Sequence, residues 1–478
     1  MKKKSNPEQI LIEQIEEWAK KQKEKAYLVG GYVRDRFRRR RTRDIDIVVE
    51  GDALAFARAF SRAHRYPTPI FYGKFGTAMI EIEGIKLEFA TARKESYHAL
   101  SRKPQVKPTT ILEDLERRDF TINAIAYDLL EKKYLDPFNG KKDIKEKVIR
   151  TPVSPDQTFF DDPLRILRGI RFASHFSFSI DARTFEGMAN NAHRLSIVSI
   201  ERISDELIKT LSAPLPGYGF SLMEQSGVLG LILPEVANLR EEKRDLSYKE
   251  LFEHTLQVLD NLSQRTKDPY LRLTGLLHDI GKPKTFRKID GKVSFHRHEF
   301  VGERMAKTIC ERLKIPADKT EMILLLIRYH LRPHLLAKEE PTDNALARFI
   351  REIGKNMKEL FLLAESDLTS KNKRKVMEAQ DSLKALYERI KALNKKRKLA
   401  RFSLKLDGFL LMETLGIPPG PQVGIIKQYL EERVLDGLVE NKKRALLSYV
   451  KEYHRELLGL NADSIQKKKS ESAEENIP

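Results

Sequence analysis

Between residues 26 and 130 apolar residues come in short runs or alternate with polar ones, the signature of strands. Tyr27-Leu28-Val29 reads as one strand and Asp44-Ile45-Asp46-Ile47-Val48-Val49 as another, while Ala78 to Glu83 and Ile85 to Phe89 read as a hairpin about Gly84. Upstream, Ile10, Leu11, Ile15 and Trp18 recur at helical spacing. From Pro163 onward strand signals fade. Apolar residues then keep a helical period almost to the end, interrupted by turns such as Ala213-Pro214-Leu215-Pro216-Gly217. The pattern predicts an α+β fold in which a small sheet-bearing module precedes mostly helical regions.

Length and composition narrow this picture. The 478 residues imply roughly two to four domains, and an apolar share of 41% argues against global disorder. A single cysteine, Cys310, can close no intrachain disulfide and build no Cys-rich zinc site, which fits a reducing, cytoplasmic setting. No apolar signal core follows Met1-Lys2-Lys3-Lys4, and runs such as Met322 to Ile327 fall far short of the ~20 residues that cross a bilayer. A net charge of +19 favours polyanionic partners, nucleic acid first among them. Six of the 11 histidines fall between His254 and His334, marking a separate unit, and a basic helical stretch, Lys371 to Arg401, follows it.

Asp44 and Asp46 stand two apart in a strand, so both point to the face opposite Ile45 and Ile47. Adjacent like charges need a cation, and oxygen donors alone suit Mg²⁺. Glu88, on the face opposite Leu87 and Phe89, is a candidate third acid. Upstream, Val29-Gly30-Gly31-Tyr32-Val33-Arg34-Asp35 reads as a strand end, a two-glycine turn and a helix start, where backbone N–H groups and Arg34 can meet phosphates. Arg117 and Arg118 beside Asp119 form either a surface ion pair or a clamp for a triphosphate or ribose. Asp162 before Pro163 is a helix cap, and Arg165, Arg168 and Arg171 step by three along that helix, opposite Ile166, Leu167 and Ile170.

These motifs, with Thr121-Ile122-Asn123-Ala124 after Asp119-Phe120, occur in an order that resembles the class II tRNA nucleotidyltransferases: the CCA-adding enzymes and their bacterial poly(A) polymerase relatives. The resemblance spans roughly residues 26 to 240. It implies a DNA polymerase β-like head with a mixed or antiparallel sheet, followed by helical neck, body and tail. It implies Mg²⁺ on Asp44 and Asp46, with Glu88 a further catalytic acid. Nucleotide contacts are implied at Gly30, Gly31, Arg34, Arg117, Arg118, Asp119, Asn123, Asp162, Arg165, Arg168 and Arg171, with Asp162 and Arg165 selecting the base. Such a pair can replace a template, because cytosine and adenine each show an amino donor beside an unprotonated ring nitrogen, whereas uracil and guanine reverse both roles. Two departures stand out. Asp161 takes the place of a usual glutamate, and after Arg34-Asp35 an arginine-rich run, Arg36 to Arg43, replaces a usual leucine-glycine step, forming either a grip on RNA phosphates or a solvated basic loop. The family's flexible loop maps to about Lys94 to Glu113 and looks full length.

His254, His278-Asp279 and Asp367 resemble the HD superfamily of metal-dependent phosphohydrolases, implying a second divalent metal there, with His298-Glu299 and His330 as further ligands. The expected organisation is a head at 26–150, a neck and body for base selection and RNA binding at 151–245, an HD domain at 246–375, a tRNA-binding tail at 376–461 and a disordered end at 462–478. In that tail, Lys395-Lys396-Arg397-Lys398 and Arg401 are expected to hold the tRNA backbone. The implied activity is addition of CCA to the 3′ end of tRNA from CTP and ATP, with an accessory HD phosphohydrolase activity. The alternatives are cytidine-only or adenosine-only addition, poly(A) synthesis, and an HD phosphohydrolase whose amino-terminal half only binds RNA.

Overall fold

A computed structural model describes residues 7–72, 76–98, 101–240, 248–289, 292–370, 372–400, 404–435 and 438–458. The lysines at the amino end, Arg401 and the polar end at 462–478 lie outside them. The chain divides into two compact units, residues 1–328 and 329–478, a boundary that falls inside the stretch expected as the HD domain.

In the first unit, strand β1 (Ala26–Val29) is buried along its whole length and so takes an interior place in a sheet. The sheet also holds β2 (Asp44–Val49), β3 (Ile70–Tyr72), β4 (Thr77–Ile82), β5 (Ile85–Thr91), β8 (Ala126–Asp128) and β9 (Lys133–Leu135), in the order β3-β4-β5-β2-β1-β8-β9, so β1 pairs with β2 and β8. Only β2 with β5 is parallel, which makes the sheet mixed. The turn between β4 and β5 places Glu83 at φ 50° and Gly84 at φ 75°, the left-handed pair of a tight hairpin. The segment expected as a flexible loop folds as a separate hairpin of β6 (Arg93–His98) and β7 (Ser101–Pro108), then a short helix.

Helices of this unit are α1 (Pro7–Gln22), α2 (Gly30–Phe37), α3 (Ala53–His64), α4 (Ile111–Glu116), α5 (Gly140–Glu146), α6 (Pro155–Asp161), α7 (Leu164–Phe176), α8 (Ala182–Asn191) and α9 (Ile200–Leu211), with further helices beyond. On α1 the buried stripe is Leu11, Ile12, Ile15 and Trp18, and Ile10 faces water. Helix α7 buries Ile166, Leu167 and Ile170 completely. Gly169 lets it approach the sheet module, since a Cβ there would stand 2.7 Å from the Phe120 ring and 2.4 Å from Met188.

The second unit is helical. Its long helix Lys373–Ala400 buries Leu383, Leu386 and Ile390, and the last helices close on a core of Leu411, Leu415, Ile426, Leu430, Leu446 and Val450. Among the described residues no helix is long and apolar enough to cross a membrane. Cys310 is fully buried, which pushes its thiol up to about 11.

Candidate active site

Strand register builds the acidic face. Asp46 lies opposite Val29 on β1 and opposite Glu88 on β5, while Ile45, Ile47, Leu87 and Phe89 are fully buried on the other side. Strand β1 passes directly into α2 at Gly30, whose φ of +64° and whose missing side chain are both required: a Cβ would stand 2.9 Å from Asp46 Oδ2. The N–H of Gly31 donates to the Asp46 carboxylate. The strand end, glycine turn and helix start read from the sequence are all present, and the start of the helix, with its outward N–H groups, lies beside Asp46.

Burial raises the Asp46 carboxyl above its usual range; Asp44 adds to this, and Arg118, the Gly31 N–H and Arg34 act against it. Burial also raises Glu88, with Asp46 and Asp44 contributing. Carboxylates gathered on one face, offering only oxygen donors, fit a hard divalent cation.

The arginines are held differently from the sequence expectation. Arg117 and Arg118 turn back to Asp114 on α4, a fully buried carboxylate: Arg117 Nη2 lies 2.6 Å from Oδ1 and Arg118 Nη2 3.0 Å from Oδ2. Arg117 Nε also donates to the Arg93 carbonyl at 2.8 Å. Burial works to raise Asp114, yet the two guanidiniums hold it below the usual range. Asp114 was missed by sequence reasoning, although its spacing of three and four residues from the arginines is the signal of same-face helical pairs. Removing its charge strands two guanidiniums, so Asp114→Asn is expected to lower the unfolding free energy by about 3 kcal/mol, measurable by urea denaturation.

Asp119 pairs instead with Arg168 of α7, whose Nε and Nη2 donate to Oδ2 at 2.9 and 2.6 Å. Its Oδ1 accepts from Asn123 Nδ2 at 2.8 Å, and Asn123 Oδ1 accepts from Arg34 Nη1 at 2.8 Å. Arg34 is further fixed by Asp35, at 2.8 Å, and lies over Phe176. A continuous chain thus runs from α2 through Asn123 and Asp119 to α7. Arg165, nearly buried, donates to the Arg117 carbonyl at 2.7 Å, and Arg171 donates to the buried Glu206 of α9 at 2.6 Å. The expected basic stripe is therefore a set of clasps to neighbouring elements. Asp162 is extended and accepts from the Leu164 N–H at 3.2 Å while Pro163 is helical, the cap anticipated from Asp-Pro. Asp161 accepts from Gln157 on its own helix at 2.7 Å.

Burial works to raise Asp119, but Arg168 and the Asn123 amide hold it down at about 2. A depressed carboxylate stabilises the fold above its ordinary value of 3.8 and loses that contribution as pH falls through about 2. The shift corresponds to roughly 2 kcal/mol. In Asp119→Asn the loss of stability on acidification between about pH 4 and 2 is expected to be shallower, read as urea midpoints against pH.

A second cluster lies elsewhere in the first unit. Asp279 Oδ2 stands 3.2 Å from His278 Nε2 and 3.5 Å from His254 Nε2, and Oδ1 stands 3.3 Å from His298 Nε2. His278 Nδ1 and His298 Nδ1 face the carbonyls of Gly275 and Phe295 at 2.8 and 2.9 Å, which assigns them the ring protons. Asp279 Oδ2 also accepts from Lys282 Nζ at 2.6 Å, and the imidazole Nε2 atoms with this carboxylate form a donor set that fits a divalent metal. Burial works to raise Asp279, and His278 with His254 and His298 holds it well below the usual range. Gly281 allows the close packing here, since a Cβ would meet the His298 carbonyl at 2.1 Å. Asp367 belongs to the second unit and lies 3.8 Å from His334 there. Lys395 lies on the helix Lys373–Ala400 of that unit.

Comparison with known proteins bears on all of this. Residues 26–150 match the poly A polymerase head domain, 177–239 the probable RNA and SrmB-binding site of polymerase A, and 251–369 the HD domain. The chain is 32% identical over 436 residues to an A-adding tRNA nucleotidyltransferase of Deinococcus radiodurans, covering 88% of this chain and 94% of that one. It is 30% identical over 440 residues to a CCA-adding enzyme of a Geobacillus species, covering 91% and 94%. The fold is that of the Bacillus stearothermophilus CCA-adding enzyme solved with CTP, with a TM-score of 0.63 at 23% identity, covering 94% of this chain and 98% of that one.

Proposed function

Because the chain belongs to the tRNA nucleotidyltransferase and poly(A) polymerase family, we propose that it adds CCA to the 3′ end of tRNA in the cytoplasm, taking CTP and ATP without a nucleic-acid template. The observation that carries this reading is the acidic face on which Asp46 stands opposite Glu88, with Asp44 on the same face, against the Gly30 turn that opens α2 and that also adjoins Arg118.

In this reading the three acids hold Mg²⁺, which when bound activates the RNA 3′-hydroxyl and neutralises charge on the pyrophosphate leaving group. The N–H groups opening α2 orient the triphosphate, with Arg34, Arg117 and Arg118 around it. Asp35 and Asn123 fix Arg34, and Asp114 fixes the other two, so little ordering remains for the nucleotide to impose. Asp162 accepts from the exocyclic amino group and Arg165 donates to the ring nitrogen beside it. That pairing serves cytosine and adenine alike, which favours addition of both nucleotides. Adenosine-only addition is the second reading, favoured by the likeness to the A-adding enzyme of Deinococcus radiodurans.

His254, His278 and Asp279 offer the second divalent-metal site, suited to hydrolysis of cyclic or terminal phosphates at RNA ends. Purified protein given Mg²⁺, CTP, ATP and a tRNA transcript lacking CCA is expected to extend it, and His278→Ala combined with Asp279→Ala is expected to extend it as well. Extension that vanishes with the histidine site, in a double variant that still melts cooperatively, would reject the assignment of chemistry to the strand acids.

A further inference from the structure

The arginine run after α2 contributes to a feature outside the acid site. Where α2 ends, the surface opens into a cleft of about 520 Å³ between that end, α5 and the end of α7. Every charged residue lining it is a cation: Arg38, Arg40, Lys141, Lys145 and Lys147. Aromatic rings of Phe37, Phe176 and Phe178 form its apolar side. Arg38 is paired with Asp35 at 3.0 Å and its guanidinium carbon lies 3.8 Å from the Phe176 ring centroid, so it is fixed in place. Lys141 lies over Tyr134 and Phe37, at 4.4 and 5.4 Å from the ring centroids. Arg40, Lys145 and Lys147 are exposed and make no ion pair among the described residues. Lys147 also adopts φ 59°, a left-handed conformation that ordinarily favours glycine or asparagine.

Five cations around one opening repel one another, and an anion that enters lowers the energy of all of them. The eight-residue helix α2 is about 12 Å long, and the acids sit at its other end. A nucleotide held at the acids therefore leaves the cleft unused, whereas an RNA strand carries a phosphate at every step.

We propose that this cleft binds the phosphate backbone of the tRNA substrate, at a site separate from nucleotidyl transfer. The proposal rests on tRNA being the substrate. It identifies the part of the arginine run that grips RNA, Arg38 and Arg40, with α5 supplying Lys141 and Lys145 and its C-cap supplying Lys147.

The test compares two triple variants of equal charge loss in the full chain. One is Arg40→Ala, Lys145→Ala, Lys147→Asn, the asparagine chosen to keep the left-handed backbone. The other is Arg62→Ala, Arg183→Ala, Lys307→Ala, three exposed cations elsewhere in the first unit. Binding of a tRNA transcript is measured across salt concentrations. The cleft variant is expected to lower the slope of log affinity against log salt by about 2 and to raise the KM for tRNA about tenfold, with the KM for CTP unchanged. The control variant is expected to change the slope by much less, and Arg40→Lys, Lys145→Arg, Lys147→Arg is expected to retain the wild-type slope. Equal slopes in the cleft and control variants would overturn the proposal. So would tripolyphosphate binding that the cleft variant loses while its tRNA slope stays at the wild-type value, which assigns the cleft to a small polyphosphate. A wild-type chain that extends tRNA while the cleft variant keeps its slope rejects the cleft alone; a wild-type chain that neither binds nor extends tRNA rejects the functional reading as well.

Discussion

Asp46→Asn is expected to slow nucleotide addition by roughly 10³- to 10⁵-fold while leaving the protein as stable as before, or more so. The two halves of this result have one cause. Asp46 is packed against the glycine turn of α2 and shares its face with Asp44 and Glu88, so burial and like charge disfavour its ionised form in the metal-free chain. An asparagine relieves that burden, keeps an oxygen for the Gly31 N–H and removes the charge that would hold Mg²⁺. Single-turnover incorporation of labelled CTP gives the rate and urea denaturation the stability. A variant that lost activity only in proportion to its loss of fold would mean that Asp46 is a structural residue.

Arg165→Ala carries the second large effect: discrimination of CTP and ATP against UTP and GTP is expected to fall by two orders of magnitude or more, on the scale of about 10⁴ that buried hydrogen-bonding groups can supply. Arg165 is nearly buried and donates to the Arg117 carbonyl, which fixes its plane at the start of α7 beside Asp162. A wrong base leaves a buried donor facing a donor, and the cost of that mismatch disappears with the side chain. The ratio of kcat/KM for the four nucleotides on one transcript reads this directly. An equal fall for all four would make Arg165 a brace between α7 and the Arg117 turn, with no part in selection.

The legible parts of the structure are those whose period is local. A short apolar run located β1, and alternation located β2 and the β4–β5 hairpin and put Asp44, Asp46 and Glu88 on the face opposite Ile45, Ile47 and Leu87. The Asp162 cap was legible for the same reason. The hairpin at Arg93 to Pro108 was not, because its second strand, Ser-Arg-Lys-Pro-Gln-Val-Lys-Pro, is polar and carries prolines, leaving no apolar period to read. Nor was the pairing of charges. Arg168 finds Asp119 across 49 positions and Arg171 finds Glu206 across 35, choices made by helix packing that neighbouring residues do not encode. Asp119 adjoins two arginines in the sequence, yet both turn to Asp114. The ion pairs around the site therefore belong to the tertiary fold, and so does the immobility they give to Arg34, Arg117 and Arg118.

The most direct measurement is product length at single-nucleotide resolution. Wild-type protein with Mg²⁺ is given transcripts ending before CCA and after CC, with CTP, ATP or both. Addition of CCA predicts growth by three nucleotides on the first transcript with both nucleotides, by two with CTP alone, and by one on the second with ATP. Growth of only the second transcript, by a single adenosine, would contradict CCA addition and establish the adenosine-only enzyme; no growth of either would contradict nucleotidyl transfer to tRNA altogether.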